Sequence, residues 1–107
     1  MTEFFQVSSA TATREQAMEL ARSVVAARLV AGVQVIGPVA SVFWHHGEYG
    51  EGEEWQILMK VGAGAYSALE DHLLGHHPWE NPEVAALPIV AGSPEYLRWL
   101  ATTTDRR

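Results

Sequence analysis

The chain has 107 residues, with 13 acidic and 7 basic side chains, a formal net charge of −6 and no cysteine. Hydrophobic residues make up 48% and charged residues 19%, which suits one compact globular domain over residues 1–107 and excludes a disordered chain. Basic residues cluster only at the terminal Arg106-Arg107 pair, so no nucleic-acid partner is expected. Disulfides and thiolate metal sites are excluded outright. The opening M-T-E-F-F-Q lacks a basic segment followed by an apolar one, and no apolar run reaches the roughly 18 residues of a membrane span. A cytoplasmic protein without a membrane partner is the expectation.

Residues 3–9 (E-F-F-Q-V-S-S) are rich in aromatic and branched side chains and predict a first strand. Thr13 then opens T-R-E-Q, with the spacing of a helix N-cap and a glutamine three residues on. Apolar residues recur at three and four through Ala17, Leu20, Ala21, Val24, Val25, Ala27 and Leu29. That spacing predicts an amphipathic helix over 14–30, stopped at Gly32. Residues 33–46 predict a second strand, interrupted at Gly37-Pro38, where proline cannot donate to a ladder and a bulge or bend is expected. Residues 48–54, with Gly50, Gly52 and four glutamates, read as a solvated hairpin tip, and 55–61 return as a third strand. Each arm of that hairpin could reach about 30 Å at about 3.3 Å per residue. One helix layer cannot cover such a length, so further copies of the chain are expected to bury the overhang.

Gly62 and Gly64 end the third strand, and residues 65–74 predict a second amphipathic helix that stops at Gly75. Pro78, Pro82 and Pro88 forbid regular helix in the polar corner that follows. Residues 87–91 predict a fourth strand. Ser93-Pro94 has the form of an N-cap followed by proline at the first helical position, and a last helix carries Tyr96, Leu97, Trp99 and Leu100 before a frayed T-T-T-D-R-R end. The order β-α-β-β-α-β plus a terminal helix predicts an α+β, ferredoxin-like fold with a long central β-hairpin.

The histidines carry the candidate chemistry. His72 and His76 are four apart, which places both on one helix face if the helix continues through Gly75. Such a pair can clamp a transition metal, but two ligands are a weak signal and a solvated helix end with histidines near the C-terminal dipole is the simpler account. His76-His77-Pro78 offers neutral imidazoles suited to Cu(II), Zn(II) or Ni(II), or a structural tie at the helix end. His45-His46 lies beside Glu48, but adjacent strand residues point to opposite faces, so both imidazoles cannot reach one ion from regular β structure. Glu83 follows Pro82 at the corner, within expected reach of Lys60 or a histidine. Trp44, Trp55, Trp79 and Trp99 read as core and interface filler. No Gly-x-Ser-x-Gly, phosphate loop or H-E-x-x-H is present, and no enzymatic activity is expected.

The run H-H-P-W-E-N-P-E-V-A-A-L-P-I-V-A-G-S-P-E-Y-L-R-W-L resembles the signature of the CutA divalent-cation tolerance family, H-P-Y-x-x-P-E followed by a Leu-Pro strand and a Tyr-Leu-x-Trp helix. L-V-A-G-V-Q-V-I, S-V-F-W-H-H-G and W-Q-I-L-M-K, ending in Lys60, extend the resemblance over about residues 5–101. The chain departs from the pattern at Gly32 (usually cysteine), His45 (usually tryptophan), Phe43 and Trp79 (usually tyrosine) and Thr11–Thr13. The resemblance implies a ferredoxin-like homotrimer with interlocked hairpins and a role in tolerance of copper and other divalent cations. It supports the histidine before Pro78, and the metal set expected from the residues is His76 and His77 with His72 or His45 as a third, holding Cu(II) or another divalent transition metal that folding does not require. Glu83, Lys60 and Trp79 would line an inter-subunit cleft. Because the fold is also that of PII signalling proteins, a small anionic ligand or a partner protein in the same cleft is the alternative.

Overall fold

The computed structural model describes residues 3–104. Along the chain lie β1 (Phe4–Thr11), α1 (Arg14–Ala26), β2 (Gly32–His45), β3 (Glu48–Gly62), α2 (Tyr66–His76), β4 (Ala85–Pro88) and α3 (Pro94–Thr103), with a short 3₁₀ turn at Ala63–Ala65 before α2. The strands form one antiparallel sheet in the order β2-β3-β1-β4. This is the ferredoxin-like arrangement that the element order predicts.

Alternation along β1 and β3 turns Val7, Ile57, Met59 and Val61 toward the helices, where they pack with Ala17, Leu20 and Val24 of α1 and Leu69 and Leu73 of α2. The opposite face carries Gln6, Ser8, Leu58 and Lys60 in register and is covered near its lower end by α3. There Leu100 is fully buried, and a Cβ at Gly62 would stand 2.9 Å from the Thr104 hydroxyl. A side chain at Gly62 would crowd that hydroxyl, so glycine lets the C-terminal end of α3 pack close to the end of β3.

Thr13 caps α1 as expected, its hydroxyl accepting from the Gln16 backbone N–H at 3.1 Å. The helix stops at Ala26, short of the expected end near residue 30. Leu29 N–H returns to the Val24 carbonyl at 3.0 Å and Arg28 N–H to Val25 at 2.9 Å, with Arg28 at φ 58°. This is a Schellman closure, with Val24 and Leu29 making its hydrophobic contact and an arginine where glycine is usual. Gly32 is therefore not the helix stop but the first residue of β2.

The β2–β3 ladder shifts register between Ile36 and Val39, so the bulge expected at Gly37-Pro38 is present. Residues 48–54 are not a tip, however. They are strand, paired with β2 through Val42↔Glu51, Phe43↔Gly50 and Trp44↔Tyr49 as far as His45↔Glu48. Gly50 serves close packing instead, since a Cβ there would stand 2.6 Å from the Phe43 ring, whereas one at Gly52 would meet open space. The turn is His46-Gly47, with φ of 50° and 78°. Positive φ at both central residues is the two-residue type I′ geometry that matches strand twist. β1 pairs with β3 only from Trp55 to Gly62, so the outer arm is a two-stranded ribbon beyond the sheet, and the molecule extends 43 Å along its long axis.

α2 continues through Gly75 to His76, two residues further than the glycine suggested. β4 spans Ala85–Pro88, offset from the expected 87–91: past Pro88 only Ile89 N–H reaches β1, on Phe4 at 3.0 Å, and Val90 is 91% exposed. Ser93 occupies the N-cap of α3 with Pro94 at N1, without a side-chain capping bond. Thr102 and Thr103 are helical rather than frayed, Thr104 is buried, and the rest of that tail lies outside the described residues.

Candidate functional site

The polar corner begins on the last turn of α2. Because the helix runs through Gly75, His72 and His76 share a face, and their rings stack at 4.0 Å with 17° between planes. The His76 Nδ1–H donates to the His72 carbonyl at 2.8 Å, which leaves its Nε2 lone pair directed away from the helix backbone. His72 Nε2 lies 3.0 Å from the Ser23 hydroxyl of α1. Ser23 spends its own proton on the Leu20 carbonyl at 2.8 Å, so His72 is the donor and keeps its lone pair on Nδ1. Burial, then the facing His76 ring, holds the His72 pKa below the ordinary 6.5.

His77, the C-cap of α2, is committed differently. Its Nε2–H donates to the Ala10 carbonyl at 2.8 Å, and its Nδ1 accepts from the Trp79 backbone N–H at 3.0 Å. Both ring nitrogens are used, so a metal could be ligated here only by breaking one of these bonds. Burial pushes the His77 pKa down, partly offset by the bond to Ala10. Trp79 packs beside this imidazole, with ring centroids 5.2 Å apart.

Glu83 accepts from the Ser8 hydroxyl at 2.6 Å. Lys60 lies half-buried on the sheet face away from α1 and α2, opposite Gln6 on β1 and Gly32 on β2. Among the described residues no ion pair engages it. His45 is at the far end of the molecule's hairpin, apart from the α2 histidines, and its ring lies 4.1 Å from that of His46. Among the described residues no three His, Cys, Asp or Glu side chains converge as a ready metal cage. The corner thus provides a two-imidazole face (His72, His76) and a structural imidazole (His77). Ser23, which orients His72, and the Ala10 carbonyl, which holds His77, lie 49 and 67 residues away in sequence, and nothing local pointed to them.

A ferredoxin-like sheet with an overlong β2–β3 ribbon and a histidine–proline corner after α2 defines a class of small α+β proteins. Residues 5–103 match the model of the CutA1 divalent ion tolerance protein family. The chain is 35% identical over 92 residues to the divalent-cation tolerance protein CutA of Thermus thermophilus, covering 86% of this chain and 89% of that one. It is 36% identical over 89 residues to human protein CutA, covering 83% of this chain and 50% of that protein. With the chloroplastic CutA 1 of rice it shares 33% identity over 85% of its length, against 51% of the relative's. The chain thus spans about half the length of the eukaryotic relatives it matches. The solved Thermus protein superposes with a TM-score of 0.91 at 32% identity, covering 95% of this chain and 99% of that one. For rice CutA1 the TM-score is 0.93 at 29% identity, covering 99% and 97%. The chain belongs to the CutA family of divalent-cation tolerance proteins.

Proposed function

We propose that the chain is a non-catalytic, trimeric, cytoplasmic CutA protein that takes up a divalent transition metal, Cu(II) foremost, on the His72–His76 face of α2. The observation that carries this reading is the i,i+4 imidazole pair on one helix face, each ring retaining one nitrogen lone pair; the stacked rings turn apart by side-chain rotation for both lone pairs to meet one ion. Imidazole suits Cu(II) and Zn(II), and without any cysteine Cu(I) has no thiolate to favour it. The set fits an ion held with modest affinity, because two protein ligands leave the other positions to solvent. His77 sets the corner that supports the face.

Trimer formation is supported by the ribbon. Trp44 is 74%, Val42 66% and Tyr49 59% exposed, on an arm that no helix among the described residues covers. Apolar surface of this kind on an extended hairpin calls for burial against other copies. The test is calorimetric titration of the intact protein with Cu(II). Binding in the wild type that is lost in His72→Ala/His76→Ala supports the α2 face, and equal binding in both removes it.

A second reading is favoured by Lys60. A half-buried ammonium without an ion-pair partner among the described residues suits a small anionic ligand, or a partner carboxylate, in a cleft lined by Glu83 and Trp79 as in a PII-like module. Titration with nucleotides and carboxylates in place of metal distinguishes the two.

A further inference from the structure

The tip of the β2–β3 hairpin holds two imidazoles that the α2 face does not use. In regular strand geometry His45 and His46 would point to opposite faces. The type I′ turn changes this. With His46 and Gly47 both at positive φ, the His46 ring folds back to 4.1 Å from His45, at 66° between planes. His45 closes the ladder opposite Glu48, which brings that carboxylate to the same side of the ribbon. Among the described residues neither ring makes a hydrogen bond to protein. Both histidines are exposed in the single chain and can turn a nitrogen toward an ion at little cost.

We propose that this tip is a second metal site, taking an imidazole-seeking divalent ion, Cu(II) before Zn(II), on His45 and His46, with water completing the shell. Two nitrogens each about 2 Å from a metal stand about 3 Å apart when adjacent in the shell, which rings at this separation reach by side-chain rotation alone. The order Cu(II) over Zn(II) follows from the general affinity ranking of nitrogen sites. Electrostatics favours a cation. Residues 39–54 include Glu48, Glu51, Glu53 and Glu54 and no Lys or Arg, so the arm carries four uncompensated negative charges. The turn holds the pair in place without help from folding around a metal, since the ladder on either side fixes it. The site stands apart from the α2 face and does not depend on it.

The test is calorimetric titration of the full-length protein with Cu(II), comparing wild type, His46→Asn, His45→Gln/His46→Asn and His72→Ala/His76→Ala. His46→Asn creates the Asn-Gly pair most favoured in type I′ turns, so the hairpin is kept while the imidazole goes. The expected result is that His46→Asn weakens one class of Cu(II) site at least about tenfold, while His72→Ala/His76→Ala retains that class. If the tip variants lose binding and the α2 variant does not, the tip stands and the α2 reading fails. The tip assignment is overturned if both tip variants titrate like wild type, or if the α2 double variant binds no Cu(II) at all.

Discussion

The His77 imidazole donates to the Ala10 carbonyl at 2.8 Å, bridging the end of α2 to β1 across 67 residues of sequence. The same ring accepts from Trp79 N–H at 3.0 Å, so one neutral side chain fixes the helix end, the sheet and the start of the corner. Removing it leaves a backbone acceptor and a donor without partners. His77→Ala is therefore expected to destabilise the fold by about 2–3 kcal/mol. His77→Gln, which can donate and accept, should recover part of the loss. Urea unfolding with metal chelated measures both.

Protonation attacks the same junction. A second proton on Nδ1 would face the Trp79 N–H, and burial already holds the His77 pKa below 6.5, as it does for His72. With folded values lower than unfolded ones, the unfolded state binds more protons in the window beneath about 6.5, so stability rises with pH there. The contribution is present above the unfolded value and lost as pH falls through the folded one. Unfolding midpoints in chelator should drop between about pH 7 and pH 5 in wild type, and less so in His77→Gln.

Arg28 holds φ 58° at the Schellman closure of α1, a conformation in which a Cβ costs about 1 kcal/mol. Arg28→Gly should raise stability by up to about 1 kcal/mol, reduced by the added flexibility of the unfolded chain. A lowered unfolding midpoint would show that the arginine side chain contributes more than the strain removes.

The strand and helix order was legible from periodicity and breakers, because each core element repeats its apolar residues at two or at three to four. What misled were residues whose role is set by distant contacts. Gly50 looked like a loop residue because nothing local announces the Phe43 ring that covers it. Gly32 looked like a helix stop, whereas an arginine takes the left-handed position four residues earlier. At the site, the His72–His76 spacing was readable once α2 was extended past Gly75. The two bonds of His77 were not, since Ala10 and the corner backbone meet only in the folded chain. The His45–His46 pair was read as divergent because strand geometry was assumed where the turn in fact begins.

The outer ribbon bears on assembly. Trp44 and Tyr49 face one another across it with rings 6.1 Å apart, and both remain largely exposed in the single chain. Trp44→Glu should leave the sheet and its core intact and weaken the proposed trimer, lowering the sedimentation mass toward that of one 11.8 kDa chain. A wild-type chain that sediments as a monomer at micromolar concentration would remove the assembly proposal.

The most direct measurement is Cu(II) titration of the wild-type protein against His72→Ala/His76→Ala, with oligomeric state and unfolding midpoint checked in the same samples. Neither side chain belongs to the buried core, so the variant should keep its fold. The account predicts that the wild type binds Cu(II) through the α2 face and that the variant loses this class of site, with affinity falling at least about tenfold. Undiminished Cu(II) binding at every site in a folded, assembled variant would contradict it.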